Sequence, residues 1–105
     1  MEAHTLAELR AAREAGDRLY HEFLRVPDMS AGYYRLPAGG VDPQSPHRED
    51  EIYVILAGRA WVTVGEEERA VGPGDVVYVA ATVPHRFHDI GEELEVVVVF
   101  APAET

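Results

Sequence analysis

The chain has 105 residues, enough for one domain with a single core. Nineteen acids against nine arginines give a net charge of −10; with the arginines scattered, this repels phosphate backbones and leaves nucleic acid out as a partner. No cysteine is present, so disulfides and thiolate sites drop out and any metal must bind through nitrogen or oxygen.

The first stretch, MEAHTLAELRAAREAG, lacks the apolar centre of a signal peptide. No apolar run along the chain approaches the roughly 18–20 residues that span a bilayer. The expectation is a cytoplasmic protein with no membrane association. Within that stretch, residues 5–15 place Leu6, Leu9 and Ala12 at helical spacing. Thr5 and Glu8 stand in capping-box positions, and Gly16 is a stop. This predicts one short surface helix.

The texture then changes to β. HEFLRVP (21–27) and AGYYRLP (31–37) each end in proline, and AGGVDPQSP (38–46) is a turn cluster. EIYVILAG (51–58), AWVTVG (60–65), DVVYVA (75–80), RFHDI (86–90) and LEVVVVFAP (94–102) are strand-like. GEEE (65–68) looks like a hairpin tip, VGPGD (71–75) like a tight turn and GEE (91–93) like another turn. Roughly seven or eight short strands without βαβ alternation predict an all-β sandwich or small barrel over about 20–102.

Two stretches carry the chemistry. Residues 40–58 run G-x6-H-R-E-D-E-x6-G, and residues 74–89 run G-D-x4-A-x-T-x2-H-x3-D. Alone, His47, Glu51 or His85 reads as a solvated turn histidine or strand-edge acid. Together the stretches resemble the two signature motifs of the cupins, small antiparallel jelly-roll barrels, usually written G-x5-H-x-H-x3–4-E-x6-G and G-x5-P-x-G-x2-H-x3-N. Gly40, His47, Glu51 and Gly58 match the first motif, and Gly74 and His85 match the second. Four positions depart: Ser45 stands at the first histidine, Ala80 at the proline, Thr82 at the glycine and Asp89 at the asparagine.

The resemblance implies a single cupin domain over 1–105 holding one divalent ion (Fe, Mn, Zn, Ni or Cu) through His47, Glu51 and His85. A 2-His-1-carboxylate set leaves open positions for water or substrate and suits non-haem iron or catalytic zinc. It implies a metal-dependent oxygenase or isomerase acting on a small molecule. The alternatives are a barrel that binds a small ligand without turnover, or one whose metal site is vestigial.

Geometry adds a demand. On a straight strand, residues four apart are separated by about 13 Å, far beyond the roughly 2.0–2.2 Å of a metal–ligand bond. The chain must therefore turn at 48–50, with His47 ending one strand and Glu51 opening the next.

Gln44, Ser45, Glu49 and His88 are further candidates for a fourth ligand or a supporting contact. Odd spacing from His85 puts His88 on the opposite strand face. Tyr53 and Phe87 share strand faces with Glu51 and His85 and are expected to line the cavity. Tyr33, Tyr34, Trp61 and Tyr78 read first as core or barrel lining. The run EVVVVF (95–100) does not alternate, as in a strand buried on both faces, which predicts a homodimer with these valines or the strand preceding them at or near the interface.

Overall fold

A computed structural model describes residues 1–43 and 45–105. One helix, α1 (Leu6–Ala15), precedes six strands: β1 (Tyr20–Val26), β2 (Met29–Leu36), β3 (Asp50–Val64), β4 (Glu67–Val71), β5 (Val76–Val79) and β6 (His85–Ala101). All pairings are antiparallel, in the order β1-β2-β6-β3-β4, and β5 pairs with β3. The expected antiparallel barrel with one N-terminal helix is the fold observed.

The strands are fewer and longer than the sequence predicts. EIYVILAG and AWVTVG are one strand, as are RFHDI and LEVVVVFAP, because GEE (91–93) continues β6 instead of turning. β3 and β6 pair from Asp50–Ala101 to Val64–His85, with three register shifts between Ile55 and Trp61. There Gly58 sits at φ +89°, and a Cβ on it would lie 2.1 Å from the Glu93 carbonyl oxygen. One strand thus bends and changes neighbours, pairing with β5 before the bulge and β4 after it. The acidic run GEEE conceals the start of β4, an edge strand exposed except at Val71.

Inside the barrel, Leu36, Ile55, Val62, Val79, Leu94, Val96, Val98 and Phe100 are all at most 2% exposed. Trp61 and Tyr78 are not barrel lining. They alternate with buried Ala60, Val62 and Val79, so they point outward and are 44% and 60% exposed.

α1 lies over the outer face of β1 and β2. Thr5 Oγ1 accepts from the Glu8 amide at 3.1 Å, and Gly16 N–H donates to the Arg13 carbonyl. Leu9 is buried, Leu6 half-buried and Ala12 exposed, so the helix needs more than apolar contact. Arg10 grips Glu95 with two nitrogens, at 2.7 and 2.9 Å, and the fully buried Tyr33 donates its hydroxyl to the same carboxylate. The Arg10 hydrogen bond, opposed by burial and helped by Tyr33, lowers the pKa of Glu95. That contribution to stability is present above the usual carboxylate range and is lost as pH falls through the lowered value.

Gly58→Ala is expected to lose more than about 2 kcal/mol of stability, from left-handed strain plus the clash with Glu93. Urea unfolding of the two proteins measures it, and a loss within experimental error would show that the bulge relaxes freely.

Candidate metal centre

The site is assembled where the β2–β3 connection meets the turn before β6. His47 lies in the irregular segment after β2 and does not end a strand. The chain bends at Arg48-Glu49, and β3 opens at Asp50. The required turn is therefore present at 48–49, although the strand expected before it is not.

Four hydrogen bonds tie this segment to the rest of the barrel. Asp42, 7% exposed, accepts from the Tyr34 hydroxyl at 2.6 Å and from the Phe87 amide at 2.8 Å. The His47 carbonyl accepts from the Thr82 amide at 2.7 Å. Asp50 Oδ1 accepts from the Ala81 amide at 2.9 Å. The loops that carry His47 and His85 are thus joined directly.

These ties bring His47, Glu51 and His85 together, with one possible ligand atom from each lying within 4.8 Å of the others. The side chains of Glu51 and His85 are each 1% exposed, and His85 Nε2 stands 3.0 Å from Glu51 Oε1. Despite that distance, neither Nε2 nor either Glu51 oxygen makes a hydrogen bond of acceptable direction. Buried polar atoms are almost always paired. Donor atoms that converge without bonding one another are what a shared cation requires, so the residues fit a metal.

His85 Nδ1 lies 2.9 Å from the Val83 carbonyl, which can only accept, so this nitrogen carries a hydrogen and Nε2 is left to ligate. Burial disfavours the His85 imidazolium, but the Glu51 carboxylate and the Val83 carbonyl outweigh it and raise the pKa above its ordinary 6.5.

The other candidate positions fall elsewhere. Ser45 is exposed, and Gln44 lies outside the described residues. Glu49 is buried, and its Oε2 accepts from the Thr105 hydroxyl at 3.0 Å. His88 meets Thr63, Glu68 and Asp89 on the outer face of β6. Neither Glu49 nor His88 belongs to the cluster.

Tyr53 and Phe87, 0% and 1% exposed, have rings 4.7 Å apart. They face inward and pack against each other, and the Tyr53 ring lies 6.0 Å from the His85 ring. A cavity of about 350 Å³ lies beside His47, walled by Arg18, Tyr20, Tyr34, Val98, Phe100 and Glu104. Its size falls within the usual range for small-molecule sites. Tyr20 reaches it across Gly32, where any Cβ would lie 2.0 Å from the phenol ring. The hydroxyl of Tyr20 is buried without a hydrogen-bond partner.

Residues 32–101 match the family model of the cupin domain. The chain belongs to the cupin family. An uncharacterised protein of Streptomyces coelicolor is 51% identical over 105 residues, covering 100% of both chains. A cupin 2 conserved barrel domain protein from Salinispora arenicola superimposes with a TM-score of 0.75 at 22% identity, over 96% of this cupin and 88% of that chain. The dimethylsulfoniopropionate lyase DddQ of Ruegeria pomeroyi is 40% identical over 58 residues, 54% of this chain and 29% of that one. Its crystal structure superimposes with a TM-score of 0.67 at 31% identity, over 72% of this chain and 39% of that one. This cupin therefore spans well under half the length of the lyase.

A divalent ion at this site would compete with a proton for His85 Nε2. Without metal, the raised pKa of His85 contributes stability at pH below its unfolded value, lost as pH rises through the raised one. Affinity for Zn²⁺ should therefore fall by up to about tenfold per pH unit as pH drops below that raised value. Chelator competition across the pH range measures this, and a flat profile would remove His85 from the ligand set.

Proposed function

We propose that this cupin is a metal-dependent enzyme acting on a small molecule, with one divalent ion held by His47, Glu51 and His85. The observation that carries the reading is the convergence of the buried Glu51 and His85 donor atoms without a hydrogen bond between them. Fe, Mn, Zn, Ni and Cu all suit two imidazoles and a carboxylate. Such an ion supplies Lewis-acid polarisation of a bound oxygen or, for iron, activation of O₂.

The chain's own residues do the remaining work. His47 belongs both to the ligand set and to the cavity wall, so a molecule in the cavity meets the site from that side. Tyr20 offers a phenol hydroxyl to it, and Val98 and Phe100 exclude water. The two reaction classes expected from the sequence are oxygenation and isomerisation. The likeness to a lyase favours the second, since isomerisation and elimination both proceed by proton transfer without an oxidant.

Metal analysis and thermal melting with Fe²⁺, Mn²⁺, Zn²⁺, Ni²⁺ and Cu²⁺ test the metal reading. At a free ion concentration 100 times Kd, the folded state should gain about 2.7 kcal/mol, and His85→Ala should abolish the gain. A protein that melts identically with all five ions holds no functional site. Given binding, a substrate screen separates turnover from capture of a ligand without reaction.

The homodimer is proposed on the outer sheet face. Val99, Ile52 and Tyr78 lie in register across β6, β3 and β5, as do Val97, Val54 and Val76. Ile52, Tyr78 and Val76 are 41%, 60% and 63% exposed, a row of apolar side chains that association would cover. Light scattering at micromolar concentration should give twice the chain mass of 11.6 kDa, and a monomer throughout would sink the idea.

A further inference from the structure

Beyond the three candidate ligands, the structure directs a second carboxylate at the site from a part of the chain without any motif. After β6 ends at Ala101, residues 103–105 run back across β1 and the β1–β2 turn and are tied at four points. The Ala103 amide meets the Pro27 carbonyl at 3.4 Å, and the Glu104 amide donates to Ser30 Oγ at 2.9 Å. Arg25 Nη2 donates to the Glu104 carbonyl at 2.7 Å, and the Thr105 hydroxyl donates to the buried Glu49 at 3.0 Å. Ser30 is fully buried, so this is a docked segment.

The docking delivers the Glu104 side chain to His47, with Oε2 3.1 Å from Nδ1. We propose that Glu104 is a positioning residue, holding the His47 ring so that Nδ1 carries the hydrogen and Nε2 is the nitrogen presented to a metal. The inference rests on the metal reading above.

Three observations support it. A carboxylate can only accept, so at 3.1 Å from Nδ1 it favours the tautomer of the neutral imidazole that carries its hydrogen there. The other histidine of the cluster is held the same way, with Nδ1 on the Val83 carbonyl, so both rings present Nε2. Glu104 itself is absent from the ligand cluster, which places it behind His47 as a supporting group. An ordinary surface ion pair contributes little, but these two side chains are only 19% and 26% exposed, and the backbone on one side of the pair is fixed. Carboxylates placed behind metal-bound histidines typically contribute 10–100-fold in metal affinity.

Two of the four ties are made by the Glu104 backbone, so changing its side chain leaves the tail docked. The test compares wild type, Glu104→Gln and Glu104→Ala. One measurement is the Zn²⁺ dissociation constant by chelator competition. The other is the ¹⁵N shifts of the His47 ring in the metal-free protein. Glu104→Ala should bind Zn²⁺ about 10–100-fold more weakly, with Glu104→Gln in between. The His47 ring should pass from one tautomer in the wild type to a mixture in the alanine variant. Unchanged metal-free melting temperatures assign the loss to the site. If wild type and Glu104→Ala bind Zn²⁺ within twofold and share one tautomer pattern, the role given to Glu104 is wrong while the metal reading stands. If the wild type binds no Zn²⁺, Fe²⁺ or Mn²⁺, both fall together.

Discussion

The whole site depends on one constraint: the β3–β6 ribbon must close on itself. In that ladder Glu51 pairs with Phe100, whereas His85 pairs with Val64, thirteen residues further along β3 (64 − 51). On a flat ladder the two side chains would be about 43 Å apart (13 × ~3.3 Å), more than the 37 Å length of the molecule. They are 3.0 Å apart because the ribbon curls through the bulges at 55–61. Gly58 stands where β3 meets the Glu93 backbone, so the last glycine of the first motif serves the site without approaching it.

Closure also concentrates charge. Glu51 and Glu49 are buried, Glu104 is half-buried, and Asp42 lies nearby under Tyr34 and Phe87. Asp42 accepts from Tyr34 and Phe87 and Glu49 accepts from Thr105, while Glu104 and Glu51 each stand at ion-pair distance from a histidine, His47 and His85. Burial raises the pKa of Glu104, against the pull of His47 and with Glu49, Glu51 and Glu22 adding to the rise. An anion-rich, desolvated corner costs stability unless a cation offsets it. Arg10 and Arg35 face the helix side and Arg25 grips the tail backbone, whereas Arg18 and Arg48 border His47. A divalent ion among His47, Glu51 and His85 would add positive charge next to the buried Glu51 itself.

Much of this was legible because the motif letters encode backbone conformation as well as ligands. The chain departs from the cupin pattern at Thr82 and Asp89, yet both have positive φ, 69° and 48°. The expected glycine and asparagine are the residues that tolerate this region best. Asp89 is nearly as tolerant as asparagine, whereas Thr82 is β-branched and strained. The spacing kept the shape when the letters changed. Strand number was less legible, since a bulged strand and two short strands share one alternation pattern, and a GEE run looks the same in a turn and in a strand. Tyr53 and Phe87 face inward, as their parity with Glu51 and His85 predicts. Glu104 and Asp42 carried no local signal, because each acts through a partner far away in sequence.

The position of the cavity bears on how chemistry could proceed. Glu51 and His85 are closed from solvent, whereas His47 faces a cavity walled by aromatic and aliphatic side chains. A molecule there would reach a metal by passing Tyr20 and Phe100 on one side and Glu104 on the other. Apolar walls lower the local dielectric, so each remaining polar group acts more strongly than it would in water. Tyr20, His47, Glu104 and Arg18 are the polar residues described along the cavity wall. Selectivity for a substrate would then reside in the β1 edge and the docked tail, not in the two motifs. Relatives that share His47, Glu51 and His85 could act on different molecules by changing only those two segments.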